Sequence, residues 1–222
     1  MSSLKRTISF SEGGGRPAKR RRVDPAPRRS LKAAILRAAE TKQITLGSAA
    51  TAALSLTTTP QFLQLSANTQ GVGDLQHVGD EITPVAYNIH YQLAAADTSN
   101  ICRIVLFQWL MDTTAAAPDA TLWNWNSETG NTEAPLGVLD WSRRSNVNVL
   151  YDSGPMAMVF GAANGVKAGK IRIAGKRMRK IKINRGTTSS GTGHLYLMYV
   201  SDSGAVNHPS FEFTSQLLFK DM

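Results

Sequence analysis

The sequence has very little cysteine and no long apolar run, and both shortages exclude classes of protein. Only one of the 222 residues, Cys102, is a cysteine, which excludes an internal disulfide framework and suits a reducing compartment. Cys102 lies in the apolar segment 101–111, where we expect a small core residue. No uncharged apolar run approaches the ~18 residues of a membrane span, and the N-terminus has no apolar signal segment. We therefore expect a soluble protein that is made in the cytosol and not inserted into a membrane.

Acidic residues are scarce in the first fifth of the chain. Residues 1–43 contain twelve Lys or Arg and three acids, a net charge of +9. Subtracting these from the chain totals of 25 and 16 leaves 13 bases and 13 acids for residues 44–222. The body is thus neutral, and segment 1–43, called the arm below, carries the whole imbalance. A terminal segment of one charge sign cannot build a core and is typical of a tail that binds phosphate, although a merely solvated tail is the alternative.

The arm has two parts. Residues 1–29 are rich in Gly, Pro, Ser and Arg without periodicity, which predicts disorder in the free protein. The stretch SLKAAILRAAETK predicts a short helix at about residues 30–42 with Ser30 as its cap, and we expect it to order only against nucleic acid or a neighbouring subunit. The arm residues predicted to bind nucleic acid are the cations Lys5, Arg6, Arg16, Lys19, Arg20, Arg21, Arg22, Arg28 and Arg29.

The stretch RPAKRRRV has the form of a nuclear import signal. Four consecutive cations, Lys19 to Arg22, follow Pro17, and the pair Lys5-Arg6 could make the signal bipartite. An import receptor binds such a segment in an extended form, so disorder helps recognition. The pattern predicts a host import receptor as a partner, and a pure packaging arm is the rival interpretation.

The sequence pattern of the body predicts an antiparallel β-sandwich. Short runs of Val, Ile, Thr, Tyr and Phe are separated by Gly, Asn, Asp and Pro, with no helical crossovers. The predicted strands are Ala53–Thr58, Glu81–Ala95, Ile101–Met111, Val147–Tyr151, Ala157–Phe160, Lys170–Ala174, Met178–Asn184, His194–Ser201 and Phe211–Phe219. The segment 112–146 is long and poor in strand signals, and its aromatic residues indicate burial either under the segment itself or against another chain. This pattern favours a jelly roll or a related sandwich.

A second basic cluster lies between Asp152 and Asp202, where nine Lys or Arg occur without any acid. The alternation in RKIKIN predicts that Lys180 and Lys182 share one sheet face, opposite Ile181 and Ile183. These two lysines are candidates for contact with a nucleic-acid backbone. Binding to an anionic cell-surface glycan and ion pairs between subunits are the alternatives.

Catalytic and metal-binding patterns are weak. The four histidines, His77, His90, His194 and His208, form no His-x-His pair. The stretch GVKAGKI is similar to a phosphate-binding loop, but its glycines are one residue too close and Ile171 stands where Ser or Thr would hold magnesium. Asp74, Asp80 and Glu81 could contribute to calcium binding between subunits, yet their spacing matches no dedicated loop. We expect no enzyme, no cofactor and no metal site.

Several segments in succession resemble one protein family. The segments GDEITPVAYNIHYQL, CRIVLFQWLMD, LGVLDWSRRSNVNVLYDSGPMAM, RKIKIN and GHLYLMYVSD span about residues 79–202. Together with the Arg-rich N-terminus, they resemble the small capsid proteins of circular single-stranded DNA viruses of the circovirus type. More distantly, they resemble the coat proteins of satellite plant viruses.

The resemblance implies a single eight-stranded antiparallel jelly roll in residues 44–222. It further implies a T=1 icosahedral shell of sixty copies with the arm turned inward onto a single-stranded genome. DNA is favoured over RNA, because entry into the host nucleus suits a virus that copies DNA with host enzymes. The expected locations are the virion and the host nucleus. The alternative from another class is a cellular nucleic-acid chaperone or chromatin protein with a β-sandwich body.

Overall fold

The computed structural model describes residues 40–48, 53–124, 135–161, 165–204 and 207–221. No helix in this part of the chain is long and apolar enough to cross a membrane. Short 3-10 helices lie at Ala120–Leu122, Trp141–Asn146 and Gly175–Arg177. The strands are β1 (Thr41–Gly47), β2 (Leu54–Ser55), β3 (Gln61–Gln64), β4 (Glu81–Ala94), β5 (Asn100–Trp109), β6 (Trp123–Asn124), β7 (Val138–Leu139), β8 (Val147–Asp152), β9 (Met156–Met158), β10 (Val166–Ala174), β11 (Ile181–Ile183), β12 (Gly191–Thr192), β13 (His194–Ser201) and β14 (Ser210–Asp221).

Eight of these strands form a jelly roll. In chain order they are β1, β3, β4, β5, β8, β10, β13 and β14. Sheet I has the order β1–β14–β4–β10, which are the first, eighth, third and sixth of these strands. Sheet II has the order β3–β13–β5–β8, which are the second, seventh, fourth and fifth. Every pairing is antiparallel. This order defines a jelly roll of two packed sheets and confirms the predicted fold class.

An eight-stranded jelly roll has four strands in each sheet, and the additional short strands make both sheets larger than that. β11 pairs with β4 beyond the point where β10 ends, β12 pairs with β11, and β2 pairs with the part of β14 that β1 does not reach. Sheet I therefore has seven strands and sheet II has five, with β9 added beside β5. β6 and β7 form a separate two-stranded hairpin.

The predicted strand boundaries agree best where the sequence pattern is long. β13 has the predicted bounds and β4 ends one residue early, whereas only Ile181–Ile183 of the predicted strand Met178–Asn184 is extended. β1 and β3 were not predicted. β1 begins at Thr41, so residues 41–43 belong to sheet I rather than to the arm. The predicted helix at about residues 30–42 is wrong for its last three residues, 40–42. Residues 1–39, with the rest of that helix and the expected disorder, lie outside the described residues.

The main core lies between the two sheets. Ile82, Tyr87, Ile89 and Leu93 of β4 point into it and are fully buried. Cys102 is also fully buried there, and desolvation raises the pKa of its thiol to about 11. The prediction of a small core cysteine is therefore confirmed, and the thiol stays protonated at neutral pH.

A second core covers the outer face of sheet II. Phe107 of β5 is fully buried there and packs against Trp123, with ring centroids 5.5 Å apart, and against Tyr196 of β13 at 5.9 Å. Trp123 belongs to the long segment 112–146, which also accepts a hydrogen bond from the Trp109 indole at Ala116 O (2.7 Å). This segment thus buries aromatic residues under itself, while another of them, Trp141, remains 73% exposed.

Gln108 joins the two sheets inside the sandwich. Its Nε2 donates to the carbonyl oxygens of Arg179 and Gly193, each at 2.9 Å. Its Oε1 accepts from Arg179 N at 2.7 Å and from Asn148 Nδ2 at 3.1 Å. The side chain is fully buried and makes all four hydrogen bonds that an amide can make. Arg179 follows β10, so these bonds fix the start of β11 against β5.

Replacing Gln108 with Leu should destabilise the body strongly. The change keeps the volume but removes four hydrogen bonds, and buried polar groups left without partners cost about 1–3 kcal/mol each. We expect the free energy of unfolding in urea to fall by about 3 kcal/mol. Gln92→Leu on the exposed face of β4 is the matched control, with an expected change within about 0.5 kcal/mol. Equal effects of the two substitutions would contradict the role of Gln108 as a link between the sheets.

Candidate nucleic-acid interface

Most of the predicted binding residues lie in the arm, outside the described residues. This applies to Lys5, Arg6, Arg16, Lys19, Arg20, Arg21, Arg22, Arg28 and Arg29. Their roles stay predictions. The described part of the chain begins at residue 40 and leads directly into β1, so the arm joins the body at sheet I.

Lys180 and Lys182 lie on the outer side of sheet I, while Ile181 and Ile183 are buried beneath them, as the alternation predicted. Lys180 Nζ forms an ion pair with the carboxylate of Glu81. Lys182 lies opposite the same Glu81 in the register of β11 and β4. An acid from the same chain therefore offsets part of the charge at this end of the sheet, which weakens these two lysines as an isolated cationic site.

A stronger basic site lies on the outer face of β10. Exposed and buried residues alternate along this part of β10. Lys170 and Arg172 are exposed, whereas Ile171 and Ile173 are buried. The pattern Lys-Ile-Arg-Ile in the sequence is the signal for this arrangement. Lys170 and Arg172 belong to the predicted basic cluster, but sequence reasoning had favoured Lys180 and Lys182.

The strand register places further polar side chains beside these two cations. One row across sheet I contains Lys170, His90 and Thr214, and the next contains Arg172, Asn88, Gln216 and Thr45. Directly paired residues of neighbouring antiparallel strands lie on the same face. The two rows line a shallow groove of about 500 Å³, called the sheet I groove below.

The electrostatics of the sheet I groove favour an anion. Neither of its two rows contains a carboxylate, and neither Lys170 nor Arg172 makes a salt bridge to another described residue. Glu212 is in the next row, and Glu81 lies seven residues from Asn88 along β4, roughly 23 Å at the usual rise of a strand. The groove therefore combines two unpaired cations with hydroxyl, amide and imidazole groups.

Such a set of groups suits a phosphodiester backbone. Cations supply the attraction to phosphate, and short hydroxyl and amide side chains can hydrogen-bond phosphate and sugar oxygens. Apart from the imidazole of His90, no aromatic ring lines the groove on which a base could stack. The groove can therefore bind a nucleic-acid strand by its charge without reading its sequence.

Two other histidines of the described residues, His77 and His194, are buried and hydrogen-bonded within the fold. His194 is buried with its Nδ1 3.0 Å from Ser66 Oγ, and desolvation holds its pKa below the ordinary value. His77 is buried with its Nδ1 2.7 Å from Gly79 O. Within the part of the chain that the structure describes, no three His, Cys, Asp or Glu side chains come together as metal ligands would.

Comparisons with known proteins identify no relative. No protein-family model matches the chain, and no curated protein matches it. The residues themselves and the fold are thus the basis on which its function is inferred.

Removing the two cations of the sheet I groove should reduce the salt dependence of single-strand binding. With about −0.7 in the log–log slope per neutralised phosphate, Lys170→Gln with Arg172→Gln should make the slope of the full chain shallower by about 1.4. Fluorescence anisotropy of a labelled oligonucleotide at several salt concentrations measures this slope. Lys167→Gln, on the inward side of the same strand, is the control and should leave the slope unchanged. An unchanged slope in the double variant would exclude the groove from binding.

Proposed function

We propose that this chain is a viral coat protein that assembles into a small icosahedral shell and packages a single-stranded genome through its basic arm. The observation that carries the proposal is the combination of a jelly roll with a net charge of +8 in residues 1–40, the segment before β1. A neutral body can pack against copies of itself, whereas the arm concentrates positive charge where a polyanion can take it up.

The sheet I groove supports the same function. The arm enters the body at β1, which is an edge strand of the sheet that carries Lys170 and Arg172. Among the described residues sheet II offers no comparable face, because residues 112–124 and 135–146 contribute Leu122, Trp123 and Leu139 to the second core on it. Both basic features thus belong to one sheet, as expected if one side of the subunit meets the genome.

The proposed shell contains sixty copies in T=1 symmetry, and the protein acts without catalysis or a cofactor. The proposed genome is single-stranded DNA rather than RNA, because the arm contains the import signal RPAKRRRV. The receptor would bind the arm on unassembled protein, and the genome would bind it during packaging, so the same cations serve both partners. The protein would then be found in the host nucleus and in the virion.

Deletion of residues 1–29 should separate packaging from folding. The sequence predicts no core residues in this segment, so the truncated body should melt like the full chain, while nucleic acid that co-purifies with it should fall sharply. The arm by itself should contribute a log–log salt slope near −6 to single-strand binding, because its net charge before β1 is +8 and each neutralised phosphate contributes about −0.7. Electron microscopy and nuclease treatment of purified full-length protein complete the test. Closed uniform particles with protected nucleic acid support a coat protein, whereas small discrete oligomers would support the cellular chaperone instead.

The import signal can be tested without assembly. Residues 1–30 fused to a fluorescent reporter should enter the nucleus, and changing Lys19, Arg20, Arg21 and Arg22 to Ala should leave the reporter in the cytoplasm. A fusion with Arg28 and Arg29 changed to Ala is the control for a simple loss of positive charge. If the unmodified fusion stays cytoplasmic while the full protein still packages nucleic acid, the arm is a packaging segment only.

A further inference from the structure

Two loops of the body display apolar side chains to solvent. The first, residues 135–146, is called the tryptophan loop and exposes Leu136 (57%), Val138 (66%) and Trp141 (73%). The second, residues 68–80, is called the Leu75 loop. It exposes the three aliphatic residues Val72 (89%), Leu75 (56%) and Val78 (54%). Exposed apolar clusters of this kind mark interaction surfaces rather than ordinary protein surface.

The tryptophan loop is held in place by an ion pair in which the arginine is buried and the aspartate is partly exposed. Arg103 of β5 forms a two-pronged pair with Asp152 of β8, with Nε–Oδ1 at 2.9 Å and Nη2–Oδ2 at 2.6 Å. Arg103 Nη1 also donates to the carbonyl oxygens of Pro135, at 3.1 Å, and Gly137. Burial opposes ionisation of Asp152, but the hydrogen bonds from Arg103 and Gly154 outweigh it and hold the pKa of this carboxyl below its ordinary value. The pair therefore stays charged and keeps the start of the loop fixed.

The Leu75 loop has an equivalent anchor. Lys42 of β1 and Asp221 of β14 form an ion pair at 3.5 Å, and both side chains are buried. Lys42 Nζ donates to Gln76 O at 3.1 Å, and the Asp221 carboxylate accepts from Val78 N and from Gly79 N. The exposed apolar side chains of both loops are thus presented by backbone segments that are tied to the sheets.

A groove of about 340 Å³ lies beside Leu75 and can accept a large side chain. Ile44 and Ala67 contribute apolar walls, and Asn68, Thr69 and Thr188 contribute polar groups. Asn68 is 7% exposed, and its Nδ2 bonds no described residue. A buried donor without an acceptor is unfavourable, and a backbone carbonyl oxygen of an entering loop would remove that cost, which the indole N–H of a tryptophan cannot do.

The charges of the two loops are opposite. The tryptophan loop carries Arg143 and Arg144 against one acid, Asp140, a net charge of +1. Arg143 pairs with Asp119 of its own chain at 3.2 Å, whereas the Arg144 guanidinium stacks on the Trp141 ring with Cζ 3.5 Å from its centroid. The Leu75 loop carries Asp74 and Asp80, both exposed, and residues 68–80 contain no Lys or Arg. Opposite charges around apolar centres favour contact between the two loops and oppose contact of either loop with itself.

We propose that Trp141 of one copy inserts into the groove beside Leu75 of a second copy, with Arg143 and Arg144 facing Asp74 and Asp80. The two surfaces belong to different sheets, so the contact is heterologous: each copy offers its tryptophan loop to one neighbour and its groove to another. A heterologous contact repeated by rotation closes a ring. This inference rests on the proposed shell function and names the contact that builds it. Trp and Arg are the residues most often found at the centre of such interfaces.

Assembly of the full chain tests the contact directly. We expect Trp141→Ala to raise the protein concentration needed for particle formation at least about tenfold in sedimentation velocity, without lowering the melting temperature, because Trp141 is exposed. Phe160→Ala removes another exposed aromatic residue, 64% exposed and outside both loops, and is the matched control with an expected change within about twofold. Arg144→Glu and Asp74→Arg should each impair assembly, and the two together should restore it. If Trp141→Ala assembles like the unmodified protein, or no worse than Phe160→Ala, the contact is wrong.

A cross-linking experiment separates this contact from the proposed function. A Val138→Cys preparation mixed with a Val72→Cys preparation and a flexible bismaleimide should give a covalent dimer, and neither preparation alone should do so. The natural Cys102 does not interfere, because it is fully buried. Mixed dimers without closed particles would support the contact and contradict the shell. Particles without mixed dimers would support the shell and overturn the contact. Dimers formed within one preparation would also overturn the contact.

Discussion

The burial of aromatic side chains on the outer face of sheet II is the constraint on which the rest of the structure depends. β5 and β13 are apolar on both sides, so one side forms the core between the sheets and the other must be covered. The segment 112–146 provides that cover by placing Leu122 and Trp123 against Phe107. The sandwich therefore has one closed face and one open face. The open face belongs to sheet I, whose strands β10 and β14 alternate between buried and solvent-facing residues.

This asymmetry assigns different chemistry to the two sides of the subunit. The open face can remain polar, because nothing has to pack on it, and its central rows carry Lys170 and Arg172 without a carboxylate. On the closed side, the covering segment presents its own surface to solvent, including Trp141. A polyanion is favoured on the first side and an apolar protein contact on the second. One covering segment thus completes the fold of sheet II and supplies a surface for association.

The fold was predictable from the sequence because its signals are local. The continuous apolar run of β13 and the long pattern of β4 gave nearly correct boundaries. The sequence pattern places residues 41–43 in the arm, at the end of a predicted helix, because the burial of Lys42 depends on Asp221, which is distant in the sequence. The sequence favoured Lys180 over Lys170 because nothing local indicates the ion pair of Lys180 with Glu81. Only the pairing of β4 and β11 brings these two residues together. Trp123 and Trp141 occupy the same segment with opposite exposure, 3% and 73%, and no local pattern distinguishes them.

The ion pairs Lys42–Asp221, buried on both sides, and Arg103–Asp152, buried on the arginine side, have a physical role that stability alone does not explain. Burying a charged pair removes it from water at a cost that the attraction between its members often only offsets. In both pairs, however, the remaining hydrogen-bonding capacity is directed to the backbone of a loop: Arg103 to the tryptophan loop and Lys42 with Asp221 to the Leu75 loop. A loop fixed before association loses less conformational entropy when it binds. In an assembly that repeats the same contact in every subunit, this advantage recurs at each interface. Ion pairs that contribute little to the folded monomer can therefore contribute substantially to the assembled state.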